Sequence, residues 1–243
     1  MSTDFSGKRV LVTGSTQGIG YEIAKRFAAA GAEVFVHGSR DLAKAERAAK
    51  EIGAAHAVTA DLADLAETAS LFDKTGAVDI LILNASVQYK EPWEKITDEH
   101  FAAQVDINLR ATLKLMQAYF SAMKEKGWGR IVTIGSVNQH RQHPELSLYA
   151  ATKSAVMSLV KNAAKTAAPY GVTINNVSPG VIPSPRNEEV LSDPAKCAAV
   201  EAQIPVGRFG TAEEIAHAVL FFCGEDAGYI TGADLTIDGG MRL

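Results

Sequence analysis

The chain has 243 residues, 47% hydrophobic and 21% charged, a composition ordinary for a soluble globular protein. Its formal net charge of −4, with basic residues scattered along it, argues against nucleic acid or an anionic membrane surface as the main partner. Cys197 and Cys223 form neither a CxxC motif nor a disulfide framework, so each is expected to be a buried structural thiol in a reducing compartment. The opening "MSTDFSGKRV" has no apolar core, and no apolar run approaches the roughly 20 residues that cross a bilayer. A cytoplasmic protein with no membrane partner is expected.

In chain order, "KRVLVTG" (8–14) predicts a first strand, followed by a helix in "GYEIAKRFAAAGA" with Ile23 and Phe27 on its apolar stripe and Gly31 as its stop. "EVFVHG" (33–38) leads into a helical "DLAKAERAAKEIG", and "AHAVTAD" (55–61) into a shorter helix through Leu71. "VDILILNA" (78–85) precedes a long helix over 98–126, and "GRIVTIGS" (129–136) precedes another over 149–168. "GVTINNVSPG" (171–180) and "ADLTIDGG" (233–240) complete seven strands. Between them, 181–205 holds Pro183, Pro185, Pro194 and Pro205 and is expected to bend over the site as a lid. "TAEEIAHAVLFF" restarts a helix with a capping box between Thr211 and Glu214.

"DILIL" and "RIVTI" are near-continuous apolar runs, the pattern of strands buried on both faces. Strand–helix alternation then implies right-handed crossovers. The fold class is α/β: residues 1–243 as a single doubly wound domain, a seven-stranded parallel sheet flanked by helices on both faces.

"VLVTGSTQGIGYEIA" puts Gly14, Gly18 and Gly20 between the first strand and the first helix. Glycines there permit positive φ and close backbone approach, and the helix N-terminus offers N–H groups to a pyrophosphate. Strand, glycine-rich turn and helix opening an alternating α/β chain point to a dinucleotide, although the spacing is GxxxGxG rather than GxGxxG. The second strand ends "VHGSRD". A site for NAD wants an acid there for the ribose 2′-OH, whereas the chain offers Gly38, Ser39 and Arg40. A guanidinium and a hydroxyl suit a 2′-phosphate, so NADP(H) is favoured over NAD(H). Asp41 follows directly and either weakens that preference or caps the next helix.

In "LYAATKSAV", Tyr149 and Lys153 lie one helical turn apart on one face. A phenol beside an ammonium suggests proton chemistry, and the pair gains meaning from its neighbours. TGxxxGIG at 13–20, Ser136, and YxxxK at 149–153 together make the chain resemble the short-chain dehydrogenase/reductase superfamily. The resemblance covers nearly the whole chain, including Asp61 after the third strand, Asn84-Ala85 after the fourth, Asn108 in the long helix, "SPG" at 178–180 and "ITGADLTIDGG" near the end. It implies a Rossmann-type fold and hydride exchange between a nicotinamide and a carbonyl or secondary alcohol. Tyr149 would be the general acid or base. A free phenol titrates near 10, and Lys153 with an oxidised nicotinamide would favour the phenolate. Ser136 would fix the substrate oxygen, and Lys153 would also hold the nicotinamide ribose. Asn108, an odd residue for a helix interior, would perturb its helix and hold a water linking Lys153 to solvent.

The resemblance also carries cofactor contacts to this sequence. Gly14, Ser15, Thr16, Gln17, Gly18, Ile19 and Gly20 would form the phosphate turn. Ser39 and Arg40, with Asp61 and Leu62, would surround the adenosine end. Asn84 and Ala85 would run along the cofactor, and Pro179, Gly180, Ile182 and Ser184 would meet the nicotinamide. Two positions depart from the family pattern. The fourth strand ends Asn84-Ala85-Ser86 where the family has NAG, and Ser184, between Pro183 and Pro185, stands where it has a Thr.

Substrate-facing loops read "SVQYKEPW", "VNQHRQHPELS" and "VIPSPRNEE", with Gln88, Asn138, His140 and Arg186 the expected contacts. Tyr89, Gln139, Arg141 and His143 add to a polar rim that suits a sugar, sugar acid or polyol. His140 and His143 lack a placed third ligand, so no metal site is assigned. The main alternative is a 3-oxoacyl-(acyl-carrier-protein) reductase, which would want a basic docking surface that Lys124, Lys126, Arg130 and Arg141 supply weakly. A non-catalytic NADP(H)-binding sensor is the alternative of another class, disfavoured by the intact Asn108, Ser136, Tyr149 and Lys153 set. A hydrolase has no nucleophile elbow here. By resemblance a homotetramer forms through the two long helices and the last strand.

Overall fold

Strands that are apolar on both sides need a cover on both sides, and the chain supplies one from its intervening helices. In the computed structural model, which describes residues 4–54, 56–184 and 191–243, all seven strands form one parallel sheet. They are β1 (Arg9–Val12), β2 (Glu33–Gly38), β3 (His56–Thr59), β4 (Ile80–Leu83), β5 (Gly129–Ile134), β6 (Val172–Pro179) and β7 (Asp234–Ile237). Their order is β3-β2-β1-β4-β5-β6-β7. The order reverses between β1 and β4, and the crevice outside the carboxyl ends of those two strands is where such a sheet receives ligands.

The helices are α1 (Gly18–Ala29), α2 (Leu42–Ile52), α3 (Leu65–Thr75), α4 (Asp98–Gln104), α5 (Ala111–Lys126), α6 (Ser147–Ala167), α7 (Pro194–Glu201) and α8 (Ala212–Cys223). On one face Leu11, Leu81 and Ile131 of the sheet pack against Leu71 of α3, Leu115 and Tyr119 of α5, and Val160 of α6. On the other, Val10, Ile80 and Val132 meet Ile23 and Phe27 of α1 and Ile215 and Val219 of α8. Each such fully buried side chain stabilises by about 1.5–3 kcal/mol relative to exposure. Tyr119 buries its hydroxyl without penalty because it lies 2.7 Å from Thr75 Oγ1.

Local signals match the observed ends. Asp41 Oδ1 accepts from Lys44 N at the start of α2. Both arms of the capping box form at α8: Thr211 Oγ1 accepts from Glu214 N, and Thr211 N donates to Glu214 Oε2. The long helix expected over 98–126 is interrupted, because a π-helical turn over Val105–Arg110 separates α4 from α5. Such a turn widens the backbone by one residue, and here it holds Asn108. Among the described residues, no helix is long and apolar enough to cross a membrane.

Candidate active site

A cleft of about 560 Å³ opens above the carboxyl ends of β1 and β4, within the size range of ligand sites. Its floor begins at the glycine turn. Gly14 and Gly18 have φ of +62°, a region an L side chain rarely adopts. A Cβ at Gly14 would stand 2.9 Å from Ala85 Cα, and one at Gly20 only 2.5 Å from Gly14 O. Thr13 Oγ1 accepts from the amides of Asn84 and Ala85, while Asn84 Nδ2 donates to the carbonyls of Thr13 and Gly14. The turn after β1 is therefore clamped to the end of β4. The cap position of α1, Gln17, makes no side-chain cap bond, and its first turn carries no acid, which leaves a positive helix end facing the cleft. These features fit a dinucleotide diphosphate.

Sequence reasoning missed His37, the buried centre of this half. Its Nδ1 accepts from Gly14 N at 3.0 Å, and its Nε2 donates to Ala60 O at 3.1 Å. Its own amide donates to Ser15 Oγ, which donates in turn to Val12 O. The ring thus joins the glycine turn to the end of β3. Burial holds its pKa down at about 4, so the imidazole is neutral with the proton on Nε2. A polar residue inside the apolar run "EVFVHG" is the one sequence signal that could have drawn attention to it.

Gly38 stands where an acid would serve a ribose 2′-OH, and a Cβ there would come within 3.2 Å of Thr16 Cγ2. Ser39 lines the cleft. Arg40 lies outside the lining, largely exposed, and its guanidinium pairs with Asp61.

Tyr149 and Lys153 project from α6 into the far side of the cleft, both buried, with Lys153 Nζ 5.6 Å from the phenol ring centre. Lys153 Nζ donates to Ile134 O, at the end of β5, at 2.7 Å. Ser136, two residues beyond that carbonyl, caps a short helical turn: its Oγ accepts from Asn138 N, and its own amide donates to Gln139 Oε1. Ser136 lines the cleft, and among the described residues its hydroxyl has no acceptor.

Asn108 is buried beneath this pair and does not line the cleft. Its Oδ1 accepts from Val87 N at 2.8 Å, and its Nδ2 donates to Val87 O and to Thr152 Oγ1. Both side-chain donors are thus engaged, holding the loop after β4 against α6.

Of the other residues singled out from sequence, Thr16, Gln17, Ile19, Leu62, Pro179, Gly180, Ile182 and Ser184 line the cleft, as do Gln88 and Asn138. Ser15 and Gly20 lie beneath it. His140 turns away: its Nε2 sits 2.6 Å from Asp234 Oδ2, outside the lining. Arg186 falls outside the described residues. Lys90, Arg141, His143 and Gln203 line the outer wall in its place. Among the described residues, no three His, Cys, Asp or Glu side chains gather closely enough to hold a metal ion.

A parallel sheet whose order reverses beside a glycine turn, with a buried Tyr–Lys pair on the same cleft, defines a doubly wound oxidoreductase that binds a nicotinamide dinucleotide. Residues 14–242 match the short-chain family described as Enoyl-(Acyl carrier protein) reductase, and the chain belongs to the short-chain dehydrogenase/reductase superfamily. It is 36% identical over 248 residues to glucose 1-dehydrogenase of Gluconobacter oxydans, covering 98% of this chain and 93% of that protein. It is 36% identical over 245 residues to 3-oxoacyl-[acyl-carrier-protein] reductase of Escherichia coli, covering 99% of each. The crystal structure of a gluconate 5-dehydrogenase from Burkholderia cenocepacia, in complex with NADP and tartrate, superposes with a TM-score of 0.92 at 31% identity, over 99% of this chain and 97% of that one.

Proposed function

We propose that the protein exchanges a hydride between NADP(H) and a carbonyl or secondary alcohol on a small, polar, hydroxylated substrate such as a sugar, sugar acid or polyol. The observation that carries this reading is the convergence of Ser136, Tyr149 and Lys153 on one wall of the cleft that begins at the glycine turn. Support also comes from relatives named for glucose and for gluconate, and from the NADP in the gluconate 5-dehydrogenase crystal.

The nicotinamide supplies or accepts the hydride when bound. In the reductive direction, Ser136 donates a hydrogen bond to the substrate carbonyl oxygen and holds its carbon in place. Tyr149 gives its phenolic proton to that oxygen as the carbonyl becomes an alcohol, and in oxidation it takes the proton back. Lys153, anchored on Ile134 O, sets its ammonium beside the phenol and holds the ribose hydroxyls. Asn108 positions α6 and the loop after β4. Gly14, Gly18 and Ser39, with Arg40 released from Asp61, receive the phosphates. In this reading Arg40 reaches the 2′-phosphate, which favours NADP(H) over NAD(H).

The 3-oxoacyl-(acyl-carrier-protein) reductase alternative is supported by the equal identity to the Escherichia coli enzyme. In the same reading, residues 1–243 act as one cytoplasmic domain with a substrate lid at 181–205, assembled as a homotetramer. Phe101 on α4, and Tyr229 and Leu235 near the edge strand β7, are exposed apolar side chains available to such an assembly.

The test is a spectrophotometric screen of ketoses, sugar acids, diketones and acyl thioesters with both cofactors, on wild type and Tyr149→Phe. Turnover of a hydroxylated compound that falls at least about 100-fold in Tyr149→Phe, with unchanged NADPH affinity, is expected. An active Phe variant refutes the acid–base assignment.

A further inference from the structure

The charge of the cleft is divided. Asp61 is its one lining carboxylate among the described residues, and it lies on the adenosine side, paired with Arg40. The outer wall, beyond Ser136 and Tyr149, is lined by two cations, Lys90 and Arg141, with His143, Gln88, Asn138 and Gln203. They come from three separate segments: the loop after β4, the loop after β5, and the turn after α7.

Arg141 is held in place. Its amide donates to Val137 O in the helical turn that Ser136 caps, and its guanidinium Nη2 donates to Gln203 Oε1 at 2.6 Å. Its backbone is thereby tied to the same turn that carries the proposed substrate-oxygen donor, and its head to the turn after α7. Lys90 and Arg141 converge electrostatically on His143. Burial lowers the imidazole pKa most; Glu145 opposes, and the charges of Lys90 and Arg141 lower it further. A neutral polyol needs no cation in such a wall, whereas an oxyanion binds a preorganised guanidinium through two parallel N–H bonds.

We propose that the substrate carries a terminal oxyanion, a carboxylate or a phosphate ester, received by Arg141 with Lys90 as the second cation. The substrate is then a small polyhydroxylated acid or sugar phosphate rather than a neutral sugar, polyol or acyl thioester. This inference rests on the oxidoreductase reading above, because Ser136 and Tyr149 fix where the reacting carbon lies.

The experiment is calorimetric titration of the Tyr149→Phe protein, saturated with NADP⁺, by gluconate, glucitol 6-phosphate and glucitol. These share a six-carbon polyhydroxylated skeleton and differ in their end group, and binding is read without turnover. At least one of the two anions is expected to bind about 10-fold or more tightly than glucitol, and their order distinguishes carboxylate from phosphate. Arg141→Gln in the same background should weaken the anion about 10- to 100-fold, leaving glucitol and NADPH affinities unchanged. Arg141→Lys should recover part of the loss, and in the active protein the change should fall on KM rather than kcat. Should Arg141→Gln fail to fold, by circular dichroism, Lys90→Gln makes the same comparison. Equal affinity for glucitol and both anions, equal losses for charged and neutral ligands, or no anion binding at millimolar concentration overturns the proposal. Failure of the oxidoreductase reading looks different: anions bind as described, but wild type reduces no NADP⁺ and oxidises no NADPH with any partner.

Discussion

His37 gives this protein a specific weakness towards acid. The ring is buried with a native pKa near 4, whereas in the unfolded chain it titrates at 6.5. Between those values the unfolded state binds more protons, so stability is complete above about pH 6.5 and falls as pH drops towards 4, where it levels off. Applied to one site, linkage gives a loss of about 2 kcal/mol between pH 7 and pH 5, a large share of the 5–15 kcal/mol that holds a typical domain. The physical event is protonation of Nδ1, which turns the acceptor of the Gly14 amide into a donor pointing at a donor. Urea unfolding at pH 7 and pH 5 should show this increment in wild type and lose it in His37→Gln, whatever that variant's stability at pH 7. His143, whose pKa burial also lowers, is present in both proteins and cancels from the comparison. If His37→Gln lost as much stability between the two pH values as wild type, the assignment of a neutral, buried His37 would be wrong.

Arg40→Ala should weaken NADPH binding about 10- to 100-fold and NADH binding little, measured by calorimetry; equal losses for both would refute the 2′-phosphate role. Asn108→Ala strands the amide and carbonyl of Val87 and should cost about 2–4 kcal/mol in urea unfolding, with a lowered kcat. An Asn108→Ala protein as stable and active as wild type would remove Asn108 from the positioning of α6. Gly14→Ala combines φ of +62° with a contact of 2.9 Å to Ala85 Cα, and should abolish NADPH binding as followed by fluorescence. Retained binding would show that the turn after β1 can move away from β4.

What the sequence discloses depends on how local the cause is. The five inner strands, β1, β2, β4, β5 and β6, are legible because strands buried on both faces have no polar alternation, and the cap pairs at Asp41 and Thr211–Glu214 are legible because both partners lie within three residues. The glycine turn and the Tyr149–Lys153 spacing are equally local. The π turn at 105–110 is foreshadowed only by Asn108, whose partners Val87 and Thr152 lie 21 and 44 residues away. His140 reads as a cleft residue until Asp234, 94 residues on, is found beside it. His37 was invisible for the same reason: its partners Gly14 and Ala60 meet only when β2 lies between β1 and β3.

Asp234 carries a consequence for the birth of the protein. Its carboxylate accepts from Asn176 and Ser178 on β6, and from Gln139 and His140 on the loop after β5. Gln139 is also the residue that holds the amide of Ser136. During synthesis Tyr149 and Lys153 leave the ribosome more than eighty residues before Asp234. At about 5–20 residues per second that is an interval of several seconds. Throughout it the nascent chain owns its Tyr149–Lys153 pair but lacks the anchor of the loop that presents Ser136. Full assembly of the cleft thus waits for the last strand, and a chain released early is denied that anchor while most of its sheet is already in hand.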